Sequence, residues 1–351
     1  MFTALGRAAL KKRRDVGFDL RHKKLADSAY QAITRAEPDR TLSASTRKHI
    51  REYARDHFGS VMFAPWLYTY AAWRGEFVEG CLPDNYVGRF LAPYSVGMHK
   101  AATAHTMARR AFLSDRFPDL GYVFHGKLYD LDGIPLDPAE AAKTWFADHE
   151  ALYVKSDDSR QGLGVTRTQP ARFADDVGKL SSGVVQYPLS MHPDLKEFCP
   201  GPAPTLRITT VNIDGNVRDV AAFLKFGLQS DTHVQSTTSV KVVIDRKDGT
   251  MHKRGSLADW TPVETHPETG AAFSGRAIPN FSEVLRVCRE HHARFPAIRY
   301  IGWDVAVTET GRVMFFETNS GHSGVKFSEA EHGPVFEGLG WDRLHLTAPP
   351  R

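Results

Sequence analysis

Three oxygen-bearing side chains stand out in "GWDVAVTETGRVMFFETNSG", residues 302–321: Asp304, Glu317 and Asn319. The stretch otherwise places apolar residues on either side of a glycine and reads as a β-hairpin. Strand side chains alternate faces, so Val313, Phe315, Glu317 and Asn319 are expected on one side. A two-residue turn at Thr310-Gly311 would pair Glu309 with Arg312. Continued, that register sets Asp304 opposite Glu317 and Asn319 opposite Gly302. Directly opposed residues have Cβ atoms about 4.5–5.5 Å apart. Two carboxylates that close repel unless a cation stands between them. Hard oxygen ligands suit Mg²⁺, which takes one or two carboxylates and completes its shell with water and substrate phosphates. The competing reading is a hairpin whose charges point into water.

Two further places carry charge where chemistry could use it. In "ALYVKSDDSRQGLGV" (151–165), Lys155 precedes a loop containing Gly162 and Gly164. Glycines let backbone N–H groups approach a phosphate closely, and a lysine supplies a point charge. Alone, Lys155 reads better as a surface lysine at a strand end. Arg207 lies between apolar neighbours in "TLRITTV" (205–211). A charge there needs a partner, either a triphosphate or an acidic side chain.

These residues need elements to hold them. Residues 1–110 read as mostly helical. In "SASTRKHIREYARDHFG", Ser43 or Ser45 caps a helix whose Ile50, Tyr53, Ala54 and Phe58 share a face, and Gly59 ends it. "APWLYTYAAWRG" (64–75) opens on a first-turn proline and stops at Gly75. From about residue 120 short strands follow: "LGYVFHG", "ALYVK", "GVVQYP", "TLRITTVNI", "VRDVAAFLKFG" and "SVKVVID". Helical patterns intervene at 137–148 and 281–294. The expected class is α+β with antiparallel hairpins rather than a βαβ series.

The 351 residues are 42% apolar and 25% charged, ordinary globular composition for two or three domains or subdomains. A net charge of +4 is too mild to argue for nucleic acid. Basic residues do bunch in "KKRRDVGFDLRHKK" (11–24), either as a solvated helix face or as a patch for an anionic partner. Cys81, Cys199 and Cys288 are far apart and have no metal spacing, which fits buried thiols in a reduced, cytoplasmic protein. No apolar run approaches the ~18–20 residues of a membrane span. The opening residues have charge after a short apolar stretch, the reverse of a secretory signal.

The hairpin resembles the metal-binding end of ATP-grasp enzymes, which use an Asp on one strand and Glu-x-Asn on the next. "ALYVKSDDSRQGLGV" resembles their lysine strand and glycine-rich flap. "VVQYPLSMHPDLKEFCPGPAPTLRITTV" (184–211) resembles their adenine-holding hinge followed by an arginine strand. "HPETGAAFSGRAIPNFSEVLRVC" (266–288) and "FVEGCLPDNYVGRFLAPYSVG" (77–97) are similar to the sugar-transfer-associated branch, related to α-L-glutamate ligases. The resemblance covers roughly residues 55–340.

It implies an ATP-grasp fold of two α+β subdomains after a helical N-terminal region, with boundaries expected at 1–105, 106–185 and 186–351. It implies an ADP-forming ligase that joins a small-molecule carboxylate to an amine through an acyl phosphate, with ATP and Mg²⁺, in polysaccharide or secondary-metabolite biosynthesis. A kinase with a hydroxyl acceptor and a non-catalytic nucleotide-binding module are the alternatives. By the resemblance, Asp304, Glu317 and Asn319 hold the metal. Lys155, Gly162 and Gly164 meet the phosphates, Arg207 and Lys225 the transferring group, Gln186 through Leu189 the adenine and His192 the ribose. Ser320, Gly321 and Ser323 are placed to meet the acceptor carboxylate. The family's earlier lysine is missing: its interval falls on "MARRAF", where Arg109 or Arg110 must substitute, while Lys127 belongs to a hairpin tip. Lys225 shares a face with Arg207 only if the "DGN" loop has three residues rather than two. "SDTHVQSTTS" (230–239) replaces the branch's Asp-Asn and Gly-Gly, so the acceptor is left open.

Overall fold

The computed structural model describes residues 4–157, 164–198, 201–231, 233–235, 237–321 and 323–347. Its contacts divide into two compact units: 1–97 with 259–262 and 321–351, and 98–258 with 263–320.

The first unit is helical. Ser43 caps the helix Ala44–Phe58 by accepting from Thr46 N at 3.1 Å, and Gly59 ends it at φ +76°. The helix Ala64–Arg74 ends at Gly75, φ +95°. Both match the capping pattern in the sequence, because a left-handed C-cap excludes most residues but glycine. The helix Ala4–Ala36 turns Asp19, His22, Ala26, Ala29 and Ile33 inward at helical spacing. The late segments complete this unit. Trp260 packs on Trp66 and Trp73, and Phe327 packs on Trp73 and Trp260. Leu82 N donates to the buried Glu329 carboxylate at 3.2 Å.

The second unit holds two antiparallel sheets. One contains β1 (Asp119–Phe124), β2 (Lys127–Tyr129), β3 (Pro135–Leu136), β4 (Leu152–Ser156), β5 (Val165–Thr168) and β6 (Ser182–Gln186), in the order β3-β2-β1-β6-β4-β5. Val123, Leu128, Leu152, Val154 and Val185 cover Phe173 and Val177 of the helix Phe173–Gly178. The other contains β7 (Thr205–Ile213), β8 (Asn216–Phe226), β9 (Val240–Ile244), β10 (Met251–Ser256), β11 (Pro262–Val263), β12 (Tyr300–Val307) and β13 (Val313–Ser320), ordered β11-β10-β9-β8-β7-β12-β13. The helix Phe281–Ala293 packs on β7, β8 and β12. Its His292 Nδ1 lies 2.7 Å from Thr210 Oγ1, which also accepts from Trp303 Nε1 at 2.8 Å. Ile208, Thr210 and Trp303 thus face the helix, so Arg207 and Asp304 face the other way. The α+β class, the helical start and the six strand runs read from the sequence all stand. The polar "MHKRGS" of β10 carried no such signal.

Candidate functional site

The hairpin comes first. Asp304 pairs with Glu317 and Gly302 with Asn319, as the sequence register predicts. The route differs. Thr308 N bonds Arg312 O at 2.9 Å, so the loop is Glu309-Thr310-Gly311, with Gly311 at φ +77°. Three loop residues with a terminal left-handed glycine are a common hairpin closure. A bulge at Phe316, between the Asp304–Glu317 and Val305–Phe315 pairs, then restores the shifted register. The bulge also reverses parity. Phe315 is buried against Trp303 and His291, on the face opposite Glu317. The expectation that Val313 and Phe315 share a face with Glu317 and Asn319 is therefore corrected.

The same device decides Lys225. The β7–β8 loop has two residues, Asp214-Gly215, which alone would put Lys225 and Arg207 on opposite faces. A register shift between Thr209 and Thr210 adds one residue to β8, so Arg207 pairs with Phe223 and Thr205 with Lys225. Both cations then point to the Asp304 side.

Arg207 grips Asp304 with two bonds, Nε to Oδ1 at 2.6 Å and Nη2 to Oδ2 at 2.9 Å. Lys225 Nζ reaches the same carboxylate at 3.1 and 3.2 Å. Burial alone would raise the Asp304 pKa. The charges of Arg207 and Lys225 outweigh it and hold the carboxyl well below the ordinary carboxylate range. Burial also works against Lys225, whose pKa is lowered despite Asp304. Both cations sit on Asp304, and Arg207 takes the acidic side chain offered as one of its two partners. Asn319 completes the group: its Nδ2 lies 3.0 Å from Glu317 Oε1 and 3.4 Å from Asp304 Oδ2. Two carboxylates and an amide that meet around one donor are a hard-oxygen set fitting Mg²⁺, with the amide turned to present Oδ1.

Lys155 comes from the other sheet. It is buried on β4, and its Nζ donates to Phe316 O, the bulged carbonyl, at 3.3 Å. Burial lowers its pKa, opposed by Glu317, Asp119 and Asp304. Gly164 O accepts from Ser156 N at 2.9 Å; Gly162 lies outside the described residues. Gln186 is buried at the end of β6, while Leu189 and His192 are half-buried beyond it. His192 Nδ1 accepts from Asp194 N at 3.3 Å, capping the turn Pro193–Lys196. Arg109 donates to Phe117 O at 3.3 Å, and Arg110 to Leu131 O at 2.7 Å. Lys127 follows the His125-Gly126 turn at a hairpin tip, as expected. Ser320 Oγ lies 2.8 Å from Thr103 Oγ1.

Two residues without a local sequence signal join the group. His105 Nε2 stands 3.8 Å from Glu317 Oε2, and burial lowers its pKa. Asp119 is 5% exposed and lies across β1–β6 from Gln186, whose Nε2 donates to Oδ1 at 2.7 Å. Its Oδ2 is buried without a hydrogen-bond partner among the described residues. Burial pushes its pKa up to about 6, against the Gln186 bond and the charges of Arg109 and Lys155. The unfolded chain loses this proton near pH 4 and the folded one near pH 6, so stability falls as pH rises through that window. Asp119→Asn should therefore be more stable than the parent above pH 6, by about 1–3 kcal/mol, and equal to it below about pH 4. Urea melts across that range test this; a less stable variant at pH 7 would remove the strain inferred here.

Residues 172–338 match the family model described as sugar-transfer-associated ATP-grasp, so the resemblance read from the sequence holds there. No curated protein matches the chain. Among solved structures it is similar to D-alanyl-alanine synthetase A from Vibrio cholerae, at 11% identity, TM-score 0.39, 71% of this chain and 66% of that one. A biotin carboxylase from Campylobacter jejuni gives 10%, TM-score 0.41, and 71% and 47% coverage. The ATP-grasp ligase PsnB, complexed with minimal precursor, Mg and ADP, gives 13%, TM-score 0.39, and 86% and 76% coverage. The chain thus spans less than two thirds of the length of the first two.

Proposed function

We propose, from the family match of residues 172–338, that this chain is an ATP- and Mg²⁺-dependent ligase that joins a carboxylate to an amine through an acyl phosphate. The observation that carries the reading is the convergence of Arg207 and Lys225 with Asp304, Glu317 and Asn319 on one sheet face, with the buried Lys155 of the other sheet bonded to the Phe316 carbonyl beside them. Three cations against two carboxylates suit a polyanionic ligand. Asp304, Glu317 and Asn319 would hold Mg²⁺, which supplies charge neutralisation at the β- and γ-phosphates. Lys155 meets the α- and β-phosphates, with Gly162 and Gly164 as the glycines that let backbone N–H groups approach them. Arg207 and Lys225 are preorganised on Asp304 to meet charge on the transferring phosphoryl group. Gln186, Leu189 and His192 border the nucleotide, Arg109 stands in for the family's earlier lysine, and Asp119 Oδ2 offers an acceptor beside Gln186.

In the reaction a substrate carboxylate oxygen bonds to the γ-phosphorus as the bond to the β–γ bridging oxygen breaks, releasing ADP. The amine nitrogen then bonds to the acyl carbon, phosphate leaves, and the nitrogen gives up its proton. These side chains position and neutralise rather than relay protons. The test is ADP release across a panel of carboxylic acids, with hydroxylamine as the amine. An ATP- and Mg²⁺-dependent hydroxamate is the expected product. A stable phosphomonoester on an alcohol would replace the ligase with a kinase.

A further inference from the structure

The basic start of the chain takes no part in the site above. Residues 1–24 contain eight Lys or Arg and two Asp, a net +6; because the chain carries +4, the other 327 residues sum to −2. The whole positive excess of the protein therefore lies on this one stretch.

The structure sorts these charges by face. The two acids turn inward. Asp19 is buried and accepts from Asn85 Nδ2 at 2.9 Å and Arg89 Nη1 at 2.6 Å, while Asp15 lies 3.6 Å from Arg89. Their charge is spent within the helical unit. The cations Arg13, Arg14, Arg21 and Lys24 are exposed. Among them stand two aliphatic residues one turn apart, Val16 at 50% and Leu20 at 54% exposure, with Leu25 at 54% beyond Arg21. At 100° per residue, Arg13, Val16, Leu20 and Lys24 form one stripe on the side away from Asp19, His22, Ala26 and Ile33, and the acid next along it, Asp27, is paired with Lys23. Exposed Leu or Val singly needs no explanation, but an aliphatic pair framed by cations on an outward stripe is the pattern of a helix lying in a lipid interface.

We propose that this outward face of the helix Ala4–Ala36 docks on an anionic lipid surface, cations on the headgroups and Val16 and Leu20 among the acyl chains. Single-stranded nucleic acid would ask for charge with stacking rings, and duplex for charge alone; this stripe offers exposed aliphatic side chains among its cations, which neither would use. A second copy of the same face would bring like charges together. The docking is independent of the nucleotide chemistry.

The test is co-sedimentation of the full chain with vesicles of equimolar phosphatidylglycerol and phosphatidylcholine, against phosphatidylcholine alone. Binding to the first and not the second is expected, weakening with salt. Each cation near such a surface is worth roughly fivefold, so R13Q/K24Q should bind about twenty-five-fold more weakly. V16S/L20S should lose about tenfold while keeping its charge. All four positions are exposed, so each variant should retain the parent's melting profile. No retention by the anionic vesicles, or retention unchanged in V16S/L20S, overturns the proposal. Capture by RNA that R13Q/K24Q abolishes and V16S/L20S keeps would put nucleic acid in its place. A vesicle-independent dimer that V16S/L20S dissolves would put a second copy there.

Discussion

Glu317→Gln should fold within about 1 kcal/mol of the parent and yet lose most of the stabilisation that Mg·ATP confers. The substitution keeps the shape of the side chain and its contact with Asn319, and removes one charge from the group formed with Asp304. Glu317 is the more exposed of the two carboxylates, 32% against 5%, and it is not gripped by Arg207. Its loss should therefore be felt by an arriving cation more than by the fold. With ligand at ~100 times Kd, a binding-competent protein gains about 2.7 kcal/mol, which thermal melting with and without Mg·ATP reads as a shift of several degrees. The variant should show little of that shift, and its turnover should fall roughly a hundredfold or more. Asn319→Asp should be milder, because it keeps an oxygen ligand while adding charge to a crowded place. A full parental shift in Glu317→Gln would mean that the hairpin holds no metal.

Asp304→Ala tests the other half of the site. Arg207 and Lys225 converge on this carboxylate in a nearly dry place, so its removal leaves two buried cations uncompensated. A cost of roughly 3–5 kcal/mol is expected at pH 7 by urea unfolding. The pH dependence has a definite sign. The folded carboxyl holds its proton far more weakly than the unfolded one, so its stabilisation is complete above the ordinary carboxylate pKa. It is lost as pH falls below about 4 towards the folded value, and the gap between parent and variant should close along that limb. A small polyanion gives a second readout. Tripolyphosphate without metal should stabilise Asp304→Ala more than the parent, because it supplies the charge that Arg207 and Lys225 have lost. A variant within 1 kcal/mol of the parent at pH 7, indifferent to tripolyphosphate, would refute the pairing.

Much of this was legible in the sequence because it depended on local rules. Ser43 and Gly59 bound one helix by capping chemistry, and alternation gave the strands that carry Lys155, Arg207, Lys225 and Asp304. Faces were harder. Parity counting is sound only while no residue is inserted, and bulges in β8 and β13 each changed the answer for a named side chain. Lys225 joined Arg207 across a two-residue loop that should have separated them. Phe315 left Glu317 although the two are separated by one residue. The Asp304–Glu317 pair was read correctly because a longer loop and a bulge displace the register in opposite directions. Asp119 and His105 could not be read at all. Each earns its interest from a partner more than 60 residues away, Gln186 or Glu317, and from burial that no local pattern records.

The bulge at Phe316 has a consequence for how the hairpin tolerates length change over evolutionary time. β12 is held by β7 from Tyr300 to Val305, on both sides of the bulge, while β13 is an edge strand that pairs with β12 alone. The unpaired residue at the bulge acts as a slack link. An insertion or deletion near Gly311 can be absorbed by moving, losing or doubling that link, and the polar trio stays where it is. The same change placed after Glu317 has no such relief, since it would turn Asn319 to the wrong face at once. Length variation among relatives should therefore collect at the loop and stop short of the last four residues of the strand.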